Sequence, residues 1–200
     1  MPRGRPKSFD VDDALDRAMR VFWRRGYAAT SLDQLTRAMG IHRPSLYATF
    51  GDKRALFLAA LDRYVERHGA RCAAALDGTA DAREAVRAFL GCLADQFSDA
   101  GLPCGCFIGG HLANAEALEP EVAERLAAAA SATEGFLRAR LERAEIDGEL
   151  SAGEVGRRAR YVASLPHALS AAARRGADRA ELDDWIELAL CAWPPGDDQV

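Results

Sequence analysis

Cys104 and Cys106 stand one residue apart, and His111 follows five residues later, in the stretch LPCGCFIGGHL (102–112). Thiols and an imidazole so close together allow three chemistries. Cys106 falls at the expected start of a helix, where free N–H groups stabilise a thiolate, so it or Cys104 could be a sensor thiol. Cys104, Cys106 and His111 could bind a soft metal. Both cysteines could also be small apolar residues in a core. A Cys–His catalytic pair is disfavoured. On one helix, an i,i+5 spacing points the two side chains in different directions, and no third orienting group is evident. Neither a phosphate-binding loop nor an HExxH motif occurs, so the sequence reads as a non-enzyme with no cofactor.

A second grouping is polar and basic. IHRPSLYATFGDK (41–53) places His42 and Arg43 before Pro44, at the entrance of a short helix. The helix dipole disfavours cations there by roughly 0.3–1 kcal/mol. Beside a polyanion the sign reverses, because the helix end and the cation both meet phosphates or guanine edges. The charge distribution fits this reading. Residues 1–54 hold 11 Lys and Arg against 6 Asp and Glu, whereas the remainder holds 15 against 24. A basic head joined to an acidic body suits nucleic-acid binding by the head alone. Arg3, Arg5 and Lys7 form an N-terminal arm broken by Pro and Gly. Such an arm either enters a minor groove or is a solvated tail.

These groups must be held by helices. Forty-one of the 200 residues are alanine, apolar residues recur at helical spacing, and alternating strand patterns are missing. The chain therefore reads as all-α, with about nine helices. Asp10 caps the first helix, whose inward face carries Leu15, Ala18, Met19 and Phe22, and Gly26 ends it. Thr30 and Ser31 open a second helix over 32–39, closed by Gly40. Pro44 sits in the first turn of a third, stopped by Gly51. Asp52 caps a long fourth helix to about Ala75. Further helices are expected near 80–100, 106–116, 119–144, 153–174 and 178–192. No uncharged apolar run of about 18 residues suggests a membrane span, and the N-terminus lacks a signal peptide, so a cytoplasmic location is expected. Five cysteines in such a chain argue against a disulfide framework.

Two short helices joined by a glycine turn and braced by a longer one make a helix–turn–helix. Residues 10–57 resemble the DNA-binding domain of TetR-family bacterial regulators. The pattern is carried by Phe22, Gly26, Tyr27, Thr30, Ser31, Leu35, Gly40, Ile41, Leu46, Tyr47, Phe50, Lys53, Leu56 and Phe57. The resemblance implies a helix–turn–helix domain over 1–54 and a ligand-binding and dimerisation domain over 55–200. It also implies roles: Thr30 and Ser31 on phosphates, Arg43, Ser45 and Tyr47 facing the groove, Thr49 on a base or phosphate, and Lys53 as a phosphate clamp.

For the body, the resemblance implies a four-helix dimer bundle from the last two helices. They carry Tyr161, Leu165, Leu169, Leu182, Trp185 and Ile186. Trp185 and Trp193 are candidate anchors, an intrachain core being the other possibility. A small-molecule inducer would bind between the body helices. Phe89, Leu93, Phe97, Phe107, Leu112, Phe136 and His167 are the candidate lining residues. A GCxxG start to the sixth helix, here Gly105–Gly109, also resembles a TetR subgroup with electrophile-responsive members. The expected function is a homodimeric repressor on a palindromic operator, released by a small molecule. A thiol- or metal-responsive repressor using Cys104 and Cys106 is the alternative.

Overall fold

The computed structural model describes residues 9–79, 81–151, 153–191 and 193. Among them lie nine helices, besides a single 3-10 turn (Ala115–Ala117): α1 (Val11–Arg25), α2 (Leu32–Met39), α3 (Arg43–Phe50), α4, α5 (Ala82–Ser98), α6 (Phe107–Leu112), α7 (Pro120–Ile146), α8 (Val155–Arg174) and α9 (Arg179–Cys191). α4 is a run of α-helix (Lys53–Tyr64), a π-helical turn (Val65–Gly69) and α-helix again (Ala70–Asp77). No strand occurs among the described residues. The Arg3, Arg5 and Lys7 arm lies outside them.

Local chemistry sets the boundaries of the head. The Asp10 carboxylate accepts the N–H groups of Asp12 and Asp13 at 2.9 and 3.1 Å, satisfying donors that the first turn leaves free. α2 opens with a full capping box: Ser31 Oγ accepts from Gln34 N, and Gln34 Oε1 accepts from Ser31 N. Gly40 closes α2 at φ 69°, a left-handed conformation that suits glycine. α3 differs. Its N-cap, His42, makes no side-chain cap bond, so this helix entrance is left undercapped.

Two cores result. The head core gathers Phe22, Leu35, Leu46, Phe57 and Leu61, and also takes Phe107 from α6 and Val122 and Leu126 from α7. The body core gathers Val86, Leu90, Leu137, Leu141, Leu169, Leu182 and Leu190. Each such side chain contributes about 1.5–3 kcal/mol on burial. α4 and α7 take part in both cores, so head and body share two continuous struts. α4 is irregular where its ladder changes to π-helical, a disturbance common at functional sites. α8 has its own irregularity at Pro166, which cannot donate to the helix ladder.

Candidate DNA interface and sensing core

The outer face of α3 is built around one buried anchor, Leu46. Opposite it, Arg43 and Tyr47 are exposed, Tyr47 at 50%, which rules out a core role for this ring. Ser45 and Thr49 are half-buried on the same short helix. Arg43 reaches back to α2, where its Nε and Nη2 donate to one Asp33 oxygen at 3.1 and 2.8 Å. Both partners are largely exposed, and such a pair contributes at most about 1 kcal/mol. It can orient Arg43 and still yield to a stronger anion.

Thr30 corrects an expectation. It is 2% exposed, and its hydroxyl donates to the Gly26 carbonyl at 2.6 Å. The side chain closes the α1–α2 turn from inside and faces no phosphate. Ser31 beside it is exposed. Lys53 is half-buried, its Nζ 4.5 Å from the centroid of the Tyr27 ring. Burial lowers its pKa, opposed by Glu119. The Tyr27 hydroxyl donates to Glu119 at 2.5 Å, which straps the α1–α2 turn to the start of α7. Burial, and then this bond, push the Tyr27 phenol up. Glu119 is not legible beforehand, because no local pattern pairs residues 27 and 119.

The Cys104–Cys106 loop sits at the joint between head and body. Cys106 is the N-cap of α6, and its Sγ accepts from Gly109 N at 3.4 Å. The Tyr64 hydroxyl donates to the same sulfur at 3.6 Å and accepts from Gln96 Nε2 at 2.8 Å. Burial, then the neighbouring Cys106, hold the Tyr64 phenol well above its ordinary pKa. It therefore remains a neutral donor. Trp23 of α1 donates its indole N–H to the Gly105 carbonyl at 3.0 Å, one residue from Cys106. Phe107 then fills the joint, with ring centroids 5.4 Å from Phe57, 5.2 Å from Tyr64 and 6.3 Å from Trp23.

The glycines here serve close packing. A Cβ at Gly105 would stand 2.7 Å from Ser170 Oγ, and one at Gly109 would stand 2.8 Å from His167 Nδ1. α8 thus lies flush on the loop. Its Ser170 Oγ accepts the Cys106 N–H at 2.8 Å, and Arg174 donates to the Cys106 carbonyl at 3.1 Å. Cys104 is exposed in the preceding loop. His111 is buried against Phe107 and Phe57, with Nδ1 2.7 Å from the Phe107 carbonyl. Burial keeps its pKa low. A Cys104–Cys106–His111 metal set, one of the three readings of this stretch, is not assembled, and no cluster of three or more potential ligands occurs among the described residues.

A cavity of about 270 Å³ opens beside Cys106. The π-helical turn of α4, with Val65 and His68, forms one wall, and Phe89, Leu93 and Gln96 of α5 form another. Phe136 of α7 and Pro166 of α8 complete it. The lining is mainly apolar. Its polar groups include the Tyr64 hydroxyl, Gln96 and His68, whose imidazole burial and nearby arginines keep below its ordinary pKa.

The description "Bacterial regulatory proteins, tetR family" matches residues 14–60. Over 197 residues the chain is 36% identical to the HTH-type transcriptional repressor ComR of Escherichia coli (strain K12), covering 96% of this chain and 92% of that protein. The chain belongs to the TetR family. It is also 32% identical over 189 residues to the uncharacterized HTH-type regulator YezE of Bacillus subtilis (strain 168), covering 94% of this chain and 97% of that one. Among solved structures, a variant of the TetR-family regulator CifR with three cysteines replaced, complexed with 26-bp operator DNA, is 38% identical with a TM-score of 0.90. That match covers 96% of this chain and all of the other. The protein is thus a DNA-binding transcriptional regulator and not an enzyme.

This TetR-family body departs from several expectations. Phe89, Leu93 and Phe136 line the cavity, but Phe97 and Phe107 are packed within the cores and do not reach it. Leu112 and His167 line a separate crevice of about 390 Å³ between α6 and α8. Of the expected dimer residues, Leu169, Leu182 and Ile186 point into the protomer's own core, as does Trp193, which lies under the Arg158 guanidinium. The helical period was right, and the buried stripe packs against α5 and α7 of the same chain. Tyr161 and Trp185 remain outward, joined by Leu188. No described helix is long and apolar enough to cross a membrane.

Proposed function

We propose that this protein is a homodimeric repressor that binds a palindromic operator through α3 and is released by a small, mainly apolar molecule in the cavity between α4, α5 and α7. One observation carries the reading. The cavity wall contains the π-helical turn of α4, the strut that continues into the head. A ligand that favours a wider cavity shifts the population toward a different head spacing, by its differential affinity for the two body states. The repressor description of ComR and the operator complex of CifR support the DNA half of the reading. Arg43, Ser45, Tyr47 and Thr49 face the groove in this reading, and Ser31 and Lys53 take phosphates.

Operator binding to upstream DNA, followed by fluorescence anisotropy across a salt series, tests it. Arg43→Ala should cost about 1–3 kcal/mol and relax one base position. Lys53→Ala should weaken all sequences alike and flatten the salt slope. Unchanged affinity in both variants would remove α3 and its border from the interface.

A second reading is favoured by the place of Cys106, which lines the same cavity at a helix N-cap. A small electrophile held there would alkylate the thiolate and act as a covalent inducer. With iodoacetamide as probe, wild type and Cys104→Ser should lose operator affinity at least tenfold, and Cys106→Ser should keep it. Loss that persists in Cys106→Ser would leave only the reversible ligand.

A further inference from the structure

Two cysteines that the loop pattern did not single out lie against each other. Cys72 is in the last part of α4 and Cys92 in α5, and their sulfurs are 2.7 Å apart. That is inside sulfur–sulfur van der Waals contact, and a small closing movement reaches the ~2.05 Å of a disulfide. The two sulfurs face different surroundings. Cys72 is buried, 2% exposed, and lines the apolar cavity. Cys92 is half-buried and lines an outer crevice of about 700 Å³ with Arg71 and Arg179. The pair therefore forms part of the wall between cavity and exterior, with Cys72 eight residues beyond Tyr64, whose hydroxyl touches Cys106.

We propose that Cys72 and Cys92 are a redox site distinct from Cys106, which a peroxide-class oxidant converts into a disulfide tying α4 to α5. Cys92, reached from the crevice, is oxidised first: its thiolate takes an oxygen from hydrogen peroxide, giving a sulfenic acid and hydroxide. The Cys72 thiol then attacks that sulfur, the S–O bond breaks, and its proton leaves with the departing hydroxyl as water. In total two thiols lose two electrons and two protons, and the peroxide becomes two waters. Burial, then the contact with Cys92, push the Cys72 thiol up, so Cys72 is not the thiol that meets the oxidant first. Cys92 lacks such cover and meets the oxidant.

The bond closes in the arrangement seen here, so it fixes that arrangement. Widening the cavity moves α4 away from α5, and the tether opposes it. The oxidised protein should therefore stay on its operator and resist release, the opposite of an adduct at Cys106. This consequence rests on the operator-binding reading above, but the disulfide itself does not.

The test uses full-length Cys104→Ser/Cys106→Ser protein, which leaves Cys72, Cys92 and Cys191. After hydrogen peroxide treatment, mapping of unreduced peptides should find Cys72 joined to Cys92 within one chain. Closing a loop of this length should also raise the melting temperature by about 5 °C or more. Operator affinity should stay within twofold of the reduced protein. Adding Cys72→Ala or Cys92→Ser should abolish the crosslink and the thermal shift. Sulfinic acid on Cys92 with Cys72 still free would overturn the site. A mapped disulfide with a tenfold loss of operator affinity would overturn the lock. Failure of the DNA reading would appear separately, as no binding by the untreated protein.

Discussion

Replacing Trp185 and Leu188 together by glutamate should turn the protein into a monomer and weaken operator binding by about 100-fold or more. Both residues are on α9, three apart, on the face turned away from the protomer's core: Trp185 is 36% exposed and Leu188 71%. Tyr161 of the neighbouring α8 is also outward, at 43%. Large apolar groups grouped on the two C-terminal helices fit burial against a second copy. Two glutamates there would have to lose hydration in the dimer with no partner, a penalty of several kcal/mol. Each monomer would then engage one half-site alone, losing the effective concentration that links the two heads, a factor of 10² to 10⁴. Light scattering reads the mass, and anisotropy reads the affinity. The contrasting variant is Leu182→Glu, at a core position with 0% exposure, which should unfold the body and not merely split the dimer. A double Trp185, Leu188 variant that remained dimeric would move the interface elsewhere.

That contrast shows where sequence reasoning stops. The apolar stripe of α9 was legible from its period, because any helix must bury one face. Which face meets its own chain is decided by α5, more than 80 residues earlier, and no local pattern records that. The head was far more legible. Asp10, Ser31 and Asp52 are caps, and Gly26, Gly40 and Gly51 are stops, and each acts within a few residues of itself. The undercapped entrance at His42 and Arg43 stood out because it broke the rule that the neighbouring α1, α2 and α4 obey. Thr30 was misjudged for a similar reason. A hydroxyl near a helix start suits a cap or a phosphate, and its turn inward to Gly26 is a tertiary choice. The glycines around Cys106 make room for Ser170, His167 and Arg174, which their spacing in the chain does not record. The meeting of Cys72 and Cys92 depends on how α5 lies on α4, and their spacing in the chain has no reading of its own.

Phe107→Ala should be the most damaging single core substitution at the joint, lowering stability by about 3–5 kcal/mol and the melting temperature by roughly 10 °C. The ring is completely buried, and it touches aromatic groups from α1, α4 and its own helix: Trp23, Phe57, Tyr64 and His111. α6 is only six residues long, too short to hold itself by backbone bonds. Its position therefore depends on this ring, on the Trp23 bond to Gly105 and on the grip of Ser170 and Arg174. Removing the ring leaves a void among rigid aromatics that cannot collapse easily, which places the cost at the upper end for a core truncation. Phe107→Leu keeps much of the volume and should lose less than half as much. Function should separate from stability at low temperature. There Phe107→Ala should still bind operator, because the groove-facing residues of α3 are untouched. It should respond weakly to iodoacetamide at Cys106, because the aromatic contact between the sensing loop and the head is lost, while the Trp23 bond to Gly105 still joins them directly. Thermal melts and operator titrations of the three proteins measure both effects. A melting temperature within 2 °C of wild type, or a full response to alkylation in Phe107→Ala, would show that the signal reaches the head by another path.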